Sequence, residues 1–216
     1  MKKNLLALAF LVGLLTCCKS EDAPIKPVKP TDPGSINKEY MSRAETTFAN
    51  IFKYYWSDKV RMMFGSYPNT LGTPQEPSSP DYDSHAYLWG LGSVVSAFNA
   101  IVQNTDNVDF RMTYESRLKE TLLKYYNTTK EPMCFGCFVN PHDQRLYDDA
   151  IWVGIDLADL YSKTKDSWYL DYAKSVWNFV LSGKDDELGG GVYWDENAKD
   201  SKNTCSNAPA VVLALK

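Results

Sequence analysis

The sequence of 216 residues carries no surplus of positive charge: 23 Lys and Arg stand against 27 Asp and Glu, a formal net charge of −4. Nucleic-acid binding needs a clustered basic surface that displaces counterions from phosphates, so no nucleic-acid partner is expected. Long apolar runs are missing too. The stretch from Leu5 to Leu15 falls well short of the roughly 20 residues that a membrane-spanning helix needs. Metal-binding patterns are incomplete. Cys134-Phe135-Gly136-Cys137 has no second tight pair to close a zinc site, and Asp195-Glu196-Asn197 lacks the glycine and the distal Glu of a calcium loop. No metal and no other cofactor is expected. From Ile36 onward there is no convincing set of strands, which leaves an all-α chain. What is plentiful is aromatic: 14 Tyr, 9 Phe and 6 Trp, suited to a large core, a carbohydrate-stacking cleft, or both.

The N-terminus reads as a targeting segment. Lys2-Lys3 precede the Leu5–Leu15 run, and Leu14-Leu15-Thr16-Cys17-Cys18 follows, a pattern that resembles a bacterial lipobox in which a cysteine becomes the lipidated N-terminus. Either Cys17 or Cys18 fits. Cys18 is favoured, because Lys19-Ser20-Glu21-Asp22 then resembles the short acidic tag of lipoproteins sent to the outer cell surface. The competing reading is a plain signal peptide with cysteines by chance. Pro24, Pro27, Pro30 and Pro33 recur every third residue, the period of polyproline II. The expected organisation is therefore a lipoprotein signal peptide over 1–18, a Pro-rich tether over 19–36, and a globular domain over 37–216. The expected location is the outer membrane, lipid-anchored and facing the exterior.

Within the domain, periodicity predicts six helices of two kinds. Residues 38–56, 109–126 and 167–182 each carry one apolar stripe; the second opens at Asp109 as its N-cap and the third follows Asp166. Residues 85–103, 147–163 and 208–215 are apolar nearly all round, which marks buried helices. The order alternates exposed, buried, exposed, buried, exposed, buried. Buried segments recur about every sixty residues, one helical hairpin per repeat.

Loop lengths give the hairpins a direction. Buried-to-exposed connections are short (104–108, 164–166), whereas exposed-to-buried connections are long (57–84, 127–146, 183–206). Antiparallel hairpins gather the long loops at the end where the buried helices begin, and long loops in a compact domain usually carry function. An inner ring of buried helices within an outer ring of exposed ones is an (α/α)6 toroid. Six hairpins would need on the order of 350 residues, so these three are expected to be its first half, an N-terminal fragment of a longer protein.

At the start of the second buried helix stand two adjacent acids, in Tyr147-Asp148-Asp149-Ala150-Ile151-Trp152. Acidic residues in a first turn also serve as caps and complement the helix dipole, which would explain one of them. Two neighbouring carboxyls do not both ionise easily, so a protonated acid comes to lie beside an ionised partner. A glycosidase uses such a pair. Retaining enzymes hold the two carboxyl groups about 5–5.5 Å apart, within reach of consecutive residues, so adjacency points to retention.

Tyr147-Asp148-Asp149-Ala150-Ile151-Trp152-Val153-Gly154 resembles the signature of glycoside hydrolase family 76, endo-α-1,6-mannanases built as (α/α)6 toroids. Tyr87-Leu88-Trp89, Gly189-Gly190-Gly191-Val192-Tyr193-Trp194-Asp195 and Asn203-Thr204-Cys205-Ser206-Asn207 resemble further family segments in the same order. Val153 stands where many members carry a second Trp. The resemblance implies that Asp148 is the nucleophile and Asp149 the general acid/base in retaining hydrolysis of α-mannan by a monomer. The candidates for a sugar-binding surface at the loop-rich end are His85, Trp89, Tyr147, Trp152, Tyr193, Trp194 and Asn207. Each has a structural alternative: the rings as core, His85 as a cap, Asn207 as an N-cap. Cys134 and Cys137 form a strained local disulfide or stay as two free thiols. A non-catalytic surface glycan-binding lipoprotein is the alternative function, since it needs no paired carboxylates.

Overall fold

The structure is a computed structural model in which residues 33–68, 85–139 and 144–216 are described. The signal peptide, most of the tether and Cys18 lie outside these residues. The chain divides into Met1–Asn37, of which only the helical residues 33–37 are described, and Lys38–Lys216, to which the packing below belongs.

Among the described residues there are six α-helices: α1 (Pro33–Tyr55), α2 (Leu88–Asn104), α3 (Val108–Tyr125), α4 (Tyr147–Thr164), α5 (Ser167–Ser182) and α6 (Thr204–Ala214). Their order matches the alternation read from hydrophobicity. α1 begins ahead of the expected residue 38, with Pro33 in its first position, where a missing N–H costs nothing. α3 is capped by Asn107, whose side chain accepts from the Phe110 N–H at 3.1 Å, so Asp109 falls inside the first turn instead of capping it. Asp166 caps α5 by accepting from the Trp168 N–H at 3.0 Å. No helix among the described residues is long and apolar enough to cross a membrane.

α4 is the hub. It packs against α5, its own hairpin partner, and against both α2 and α6, so it is the middle one of the three buried helices. α1 joins through aromatic side chains: Phe48 lies 6.1 Å from Phe98 of α2 and 5.3 Å from Phe110 of α3, centroid to centroid. Asp156 of α4 is buried at the α2 contact and satisfied there. It accepts from the Ser96 hydroxyl and from Asn99 Nδ2 at 2.8 Å, which offsets part of its desolvation.

The long connections contain an element that helical periodicity does not disclose. Each outer helix runs directly into a two-residue antiparallel ribbon: β1 (Trp56–Ser57) with β2 (Met62–Met63) after α1, β3 (Tyr126–Asn127) with β4 (Cys134–Phe135) after α3, and β5 (Lys184–Asp185) with β6 (Gly191–Val192) after α5. The repeat unit is therefore outer helix, ribbon, loop, inner helix. The all-α, half-toroid expectation stands, with these small ribbons at its loop-rich end.

Candidate active site

The ribbons and the segments that follow them hold the N-terminal ends of the inner helices. The Leu88 N–H at the start of α2 donates to the Cys137 carbonyl at 2.9 Å, and the Cys137 N–H donates to the Gln144 carbonyl at 2.9 Å on the way into α4. The start of α4 is in turn paired with the next loop. Leu146 bridges Asp195, the Tyr147 N–H donates to the Trp194 carbonyl at 3.0 Å, and the Glu196 N–H donates to the Arg145 carbonyl at 3.3 Å. Beneath this pairing lies Arg145, with 0% of its side chain exposed. It forms a two-pronged ion pair with Glu196 (Nε to Oε2 2.8 Å), donates to the Lys130 and Pro132 carbonyls at 3.2 and 2.7 Å, and stacks on Phe179. One guanidinium thus ties two long loops to the back of α4, using the planar fork that makes arginine suited to such a role.

Asp148 and Asp149 occupy the first turn of α4. The N-cap position is Leu146, which makes no side-chain cap bond, so neither acid is engaged in capping. Asp148 Oδ1 is buried with no hydrogen-bond partner among the described residues. Such an atom is uncommon in a folded protein and needs a reason. Burial, reinforced by the neighbouring Asp148 charge, pushes the Asp149 carboxyl up to about 6, with the Cys137 thiol acting the other way. Burial, and after it the Asp148 carboxylate, raises the pKa of the Cys205 thiol in the first turn of α6. The ends of α4 and α6 and the turn that receives α2 therefore meet at the acid pair.

The predicted binding residues separate into two groups. Trp89, in the first turn of α2, and Trp152, one turn beyond the acids in α4, keep 57% and 41% of their surfaces in water. Trp194 is half-buried. His85 is half-buried in a bridge with Phe64, and burial with Lys124 nearby lowers its pKa, which favours the neutral imidazole. Tyr147, Tyr193 and Asn207 do not offer free contact surfaces, so for these three the structural alternative describes the side chain better than sugar contact. Tyr147 is 1% exposed and stacks on Phe179 at 4.3 Å. Tyr193 is buried beneath Lys202, whose ammonium lies 4.5 Å from the ring centroid. The Asn207 amide clamps the glycine loop: its Oδ1 accepts from the Val192 N–H at 2.8 Å, and its Nδ2 donates to the Val192 and Asn203 carbonyls, each at 2.9 Å. Gly191 makes that clamp possible. It sits at φ +96°, and a Cβ there would lie 2.3 Å from Asn207 Oδ1.

Cys134 and Cys137 are two buried free thiols, the second of the two expected states. Burial pushes each up to about 12. Among the described residues no group of three His, Cys, Asp or Glu side chains gathers as a metal site. Sequence reading missed the roles of Cys137, Cys205, Arg145 and Glu196. One signal was available: Trp89, Asp148 and Cys205 are each the second residue of an inner helix.

Comparison with known proteins gives a consistent picture. The sequence profile of glycosyl hydrolase family 76 matches residues 39–216. A family 76 glycoside hydrolase from a bovine Bacteroides thetaiotaomicron strain is 29% identical with a TM-score of 0.66, over 81% of this chain and 36% of that one. A family 76 mannosidase from Bacteroides thetaiotaomicron is 24% identical with a TM-score of 0.67, over 81% of this chain and 47% of that one. The third is an inactive variant of a Salegentibacter α-1,6-mannanase, changed to alanine at two consecutive aspartates and solved with α-1,6-mannotetrose. It is 20% identical with a TM-score of 0.57, over 82% of this chain and 44% of that one. This chain therefore spans less than half the length of these structures. No curated protein matches it.

Proposed function

The chain belongs to glycosyl hydrolase family 76, and on that premise we propose that its paired aspartates carry retaining hydrolysis of α-1,6-linked mannan. In the first step the Asp148 carboxylate bonds to the anomeric carbon as the glycosidic C–O bond breaks, and the Asp149 proton passes to the departing oxygen. In the second, the Asp149 carboxylate takes a proton from water, whose oxygen displaces Asp148 and frees the sugar. The asymmetry of the pair carries this reading. One acid is pushed up to about 6, which suits a proton donor, while its neighbour presents a buried oxygen with no partner. Trp89 and Trp152 supply exposed rings on which sugar faces can stack. The inactive Salegentibacter variant, altered at two consecutive aspartates, supports the same assignment. The linkage and the endo mode of action rest on the family resemblance, and the surface location rests on the lipobox and Cys18.

The test is hydrolysis of α-1,6-mannan by the full-length protein and by Asp148→Asn and Asp149→Asn. Each substitution is expected to lower turnover by at least roughly a hundred- to ten-thousand-fold. Unchanged turnover in either variant removes the role assigned to that residue.

A further inference from the structure

Two of the hydrogen bonds made by the Asn207 amide fall on one residue of the preceding loop. Its Oδ1 accepts from the Val192 N–H at 2.8 Å, and its Nδ2 donates to the Val192 carbonyl at 2.9 Å. The N–H and C=O of a strand residue point to the same edge, so the amide pairs the edge of β6 that β5 leaves open. The opposite edge is held within the ribbon, where the Tyr193 N–H donates to the Gly183 carbonyl at 3.1 Å. The helix itself does not call for this side chain. Asparagine is a poor helix former, and the cap position of α6 belongs to Asn203. A third bond, from Nδ2 to the Asn203 carbonyl at 2.9 Å, fixes the amide against its own helix. A Cβ at Gly191 would collide with Oδ1, so the glycine leaves the room that the contact needs.

The clamped strand leads to the acids. Two residues beyond Val192, the Trp194 N–H donates to the Ser201 carbonyl at 3.1 Å, and the Trp194 carbonyl receives the Tyr147 N–H at 3.0 Å. Tyr147 directly precedes Asp148. Its ring packs on Phe179 and over Gly183, where any side chain would run into it. The position of Trp194 therefore bears on the start of α4, where both carboxyls stand. We propose that Asn207 is a positioning residue for the reaction: by fixing Val192 it sets where the Trp194 carbonyl holds Tyr147, and so where the first turn of α4 presents Asp148 and Asp149. The proposal rests on the reading of the two aspartates as the reacting pair, and it gives Asn207 a role through the loop in place of sugar contact. Reacting groups misplaced by about 1 Å lose on the order of a hundredfold in rate, so a slack loop is felt at the bond being broken.

The experiment measures kcat and KM separately on α-1,6-mannan, using full-length protein at a temperature where circular dichroism shows it folded. The variants are Asn207→Ala, Asn207→Asp, Gly191→Ala and the Gly191→Ala/Asn207→Ala double, with Asp148→Asn alongside. Asn207→Ala should lower kcat about ten- to a hundredfold while KM changes less than about threefold. Asn207→Asp keeps the size and the bond from the Val192 N–H, but it turns an oxygen toward two carbonyls. It should lower kcat in the same way, and it carries the test if the alanine variant does not fold. Gly191→Ala displaces the amide from the loop side. The double variant should fall no more than about threefold below the worse single one, because one contact can be lost only once. Unchanged kcat in the Asn207 variants, a loss carried by KM alone, or losses that multiply in the double variant overturn the proposal. If Asp148→Asn retains turnover, the reading of the acid pair has itself failed. If Asp148→Asn is dead while the Asn207 variants keep kcat, only the positioning role falls.

Discussion

Asp149 should cost the folded protein stability at neutral pH, and removing its charge should recover it. An exposed Asp in the unfolded chain titrates near its ordinary 3.8, whereas burial and the Asp148 charge push the folded group up to about 6. Between those values the folded protein holds a proton that the unfolded chain has released, so unfolding free energy falls as pH rises through the window. At 1.36 kcal/mol per pH unit the loss amounts to about 3 kcal/mol. Part of the carboxyl remains in water, which reduces the figure to about 2 kcal/mol. Below pH 3.8 both states are protonated and the penalty vanishes; above about 6 it is complete. Asp149→Asn keeps the shape and cannot ionise. It should therefore unfold in urea at equal or lower stability than wild type near pH 3.5, and be about 2 kcal/mol more stable at pH 7.5. For a chain of this size that corresponds to a melting temperature roughly 4–8 °C higher. The same variant should be inactive, a trade of activity for stability at one position. A stability difference of zero at pH 7.5, or one of equal size at both pH values, would refute the reasoning, because only a displaced titration makes the difference depend on pH.

Arg145→Met should destabilise the fold by about 3 kcal/mol in urea unfolding, since it strands Glu196 and two loop carbonyls in a buried site. Lys130, 3.0 Å from Glu196, keeps the loss toward the low end of the range for broken buried pairs, and a loss below about 1 kcal/mol would contradict the role given to this arginine. Cys18→Ser should move the full-length protein from the membrane pellet to the soluble fraction of its host, whereas retention in the pellet would end the assignment of Cys18 as the lipid attachment point.

The helices were legible because an apolar stripe or an all-round apolar surface repeats over four or five turns, and the alternation of the two kinds already implied inner and outer elements. The errors fall where that repetition is short. The apolar run predicts α6 over 208–215, yet it starts at Thr204 with Pro209 inside. Proline there removes one internal hydrogen bond, tolerable in a helix whose first turn is occupied by a glycine-loop clamp at Asn207. The ribbons went unseen for a related reason. A two-residue strand has no alternation to detect, and its pairing is set by the outer helix that feeds it.

The acid pair was legible because its members are adjacent, while its supports were not, because they come from elsewhere in the chain. Cys137 precedes the acids by one loop, and Cys205 follows them by a whole hairpin. In the sequence Cys137 reads as half of a local disulfide or a free thiol, and Cys205 only as part of a segment that resembles the family. The rings show the same limit from the other side. Tyr147 and Trp152 are five residues apart on one helix, and spacing cannot say which faces the core; the stack of Tyr147 on Phe179 decides it.

The balance at Asp149 also says which part of the architecture sets the chemistry. A helix N-terminus favours negative charge and by itself would lower the pKa of an acid in its first turn. Asp149 moves the opposite way, so desolvation and its acidic neighbour outweigh the dipole. Two segments pair beside that turn: the Cys137 segment with Gln144, and the 194–196 segment with residues 145–147. Arg145 joins the Lys130–Pro132 stretch of the first loop to Glu196 of the second. The helix thus supplies the adjacency of the two acids, and the loops supply their difference. It follows that substitutions loosening the loops should bring Asp149 back toward an ordinary carboxylic acid before they unfold the helices, with the alkaline limb of activity falling to lower pH while far-ultraviolet circular dichroism stays unchanged.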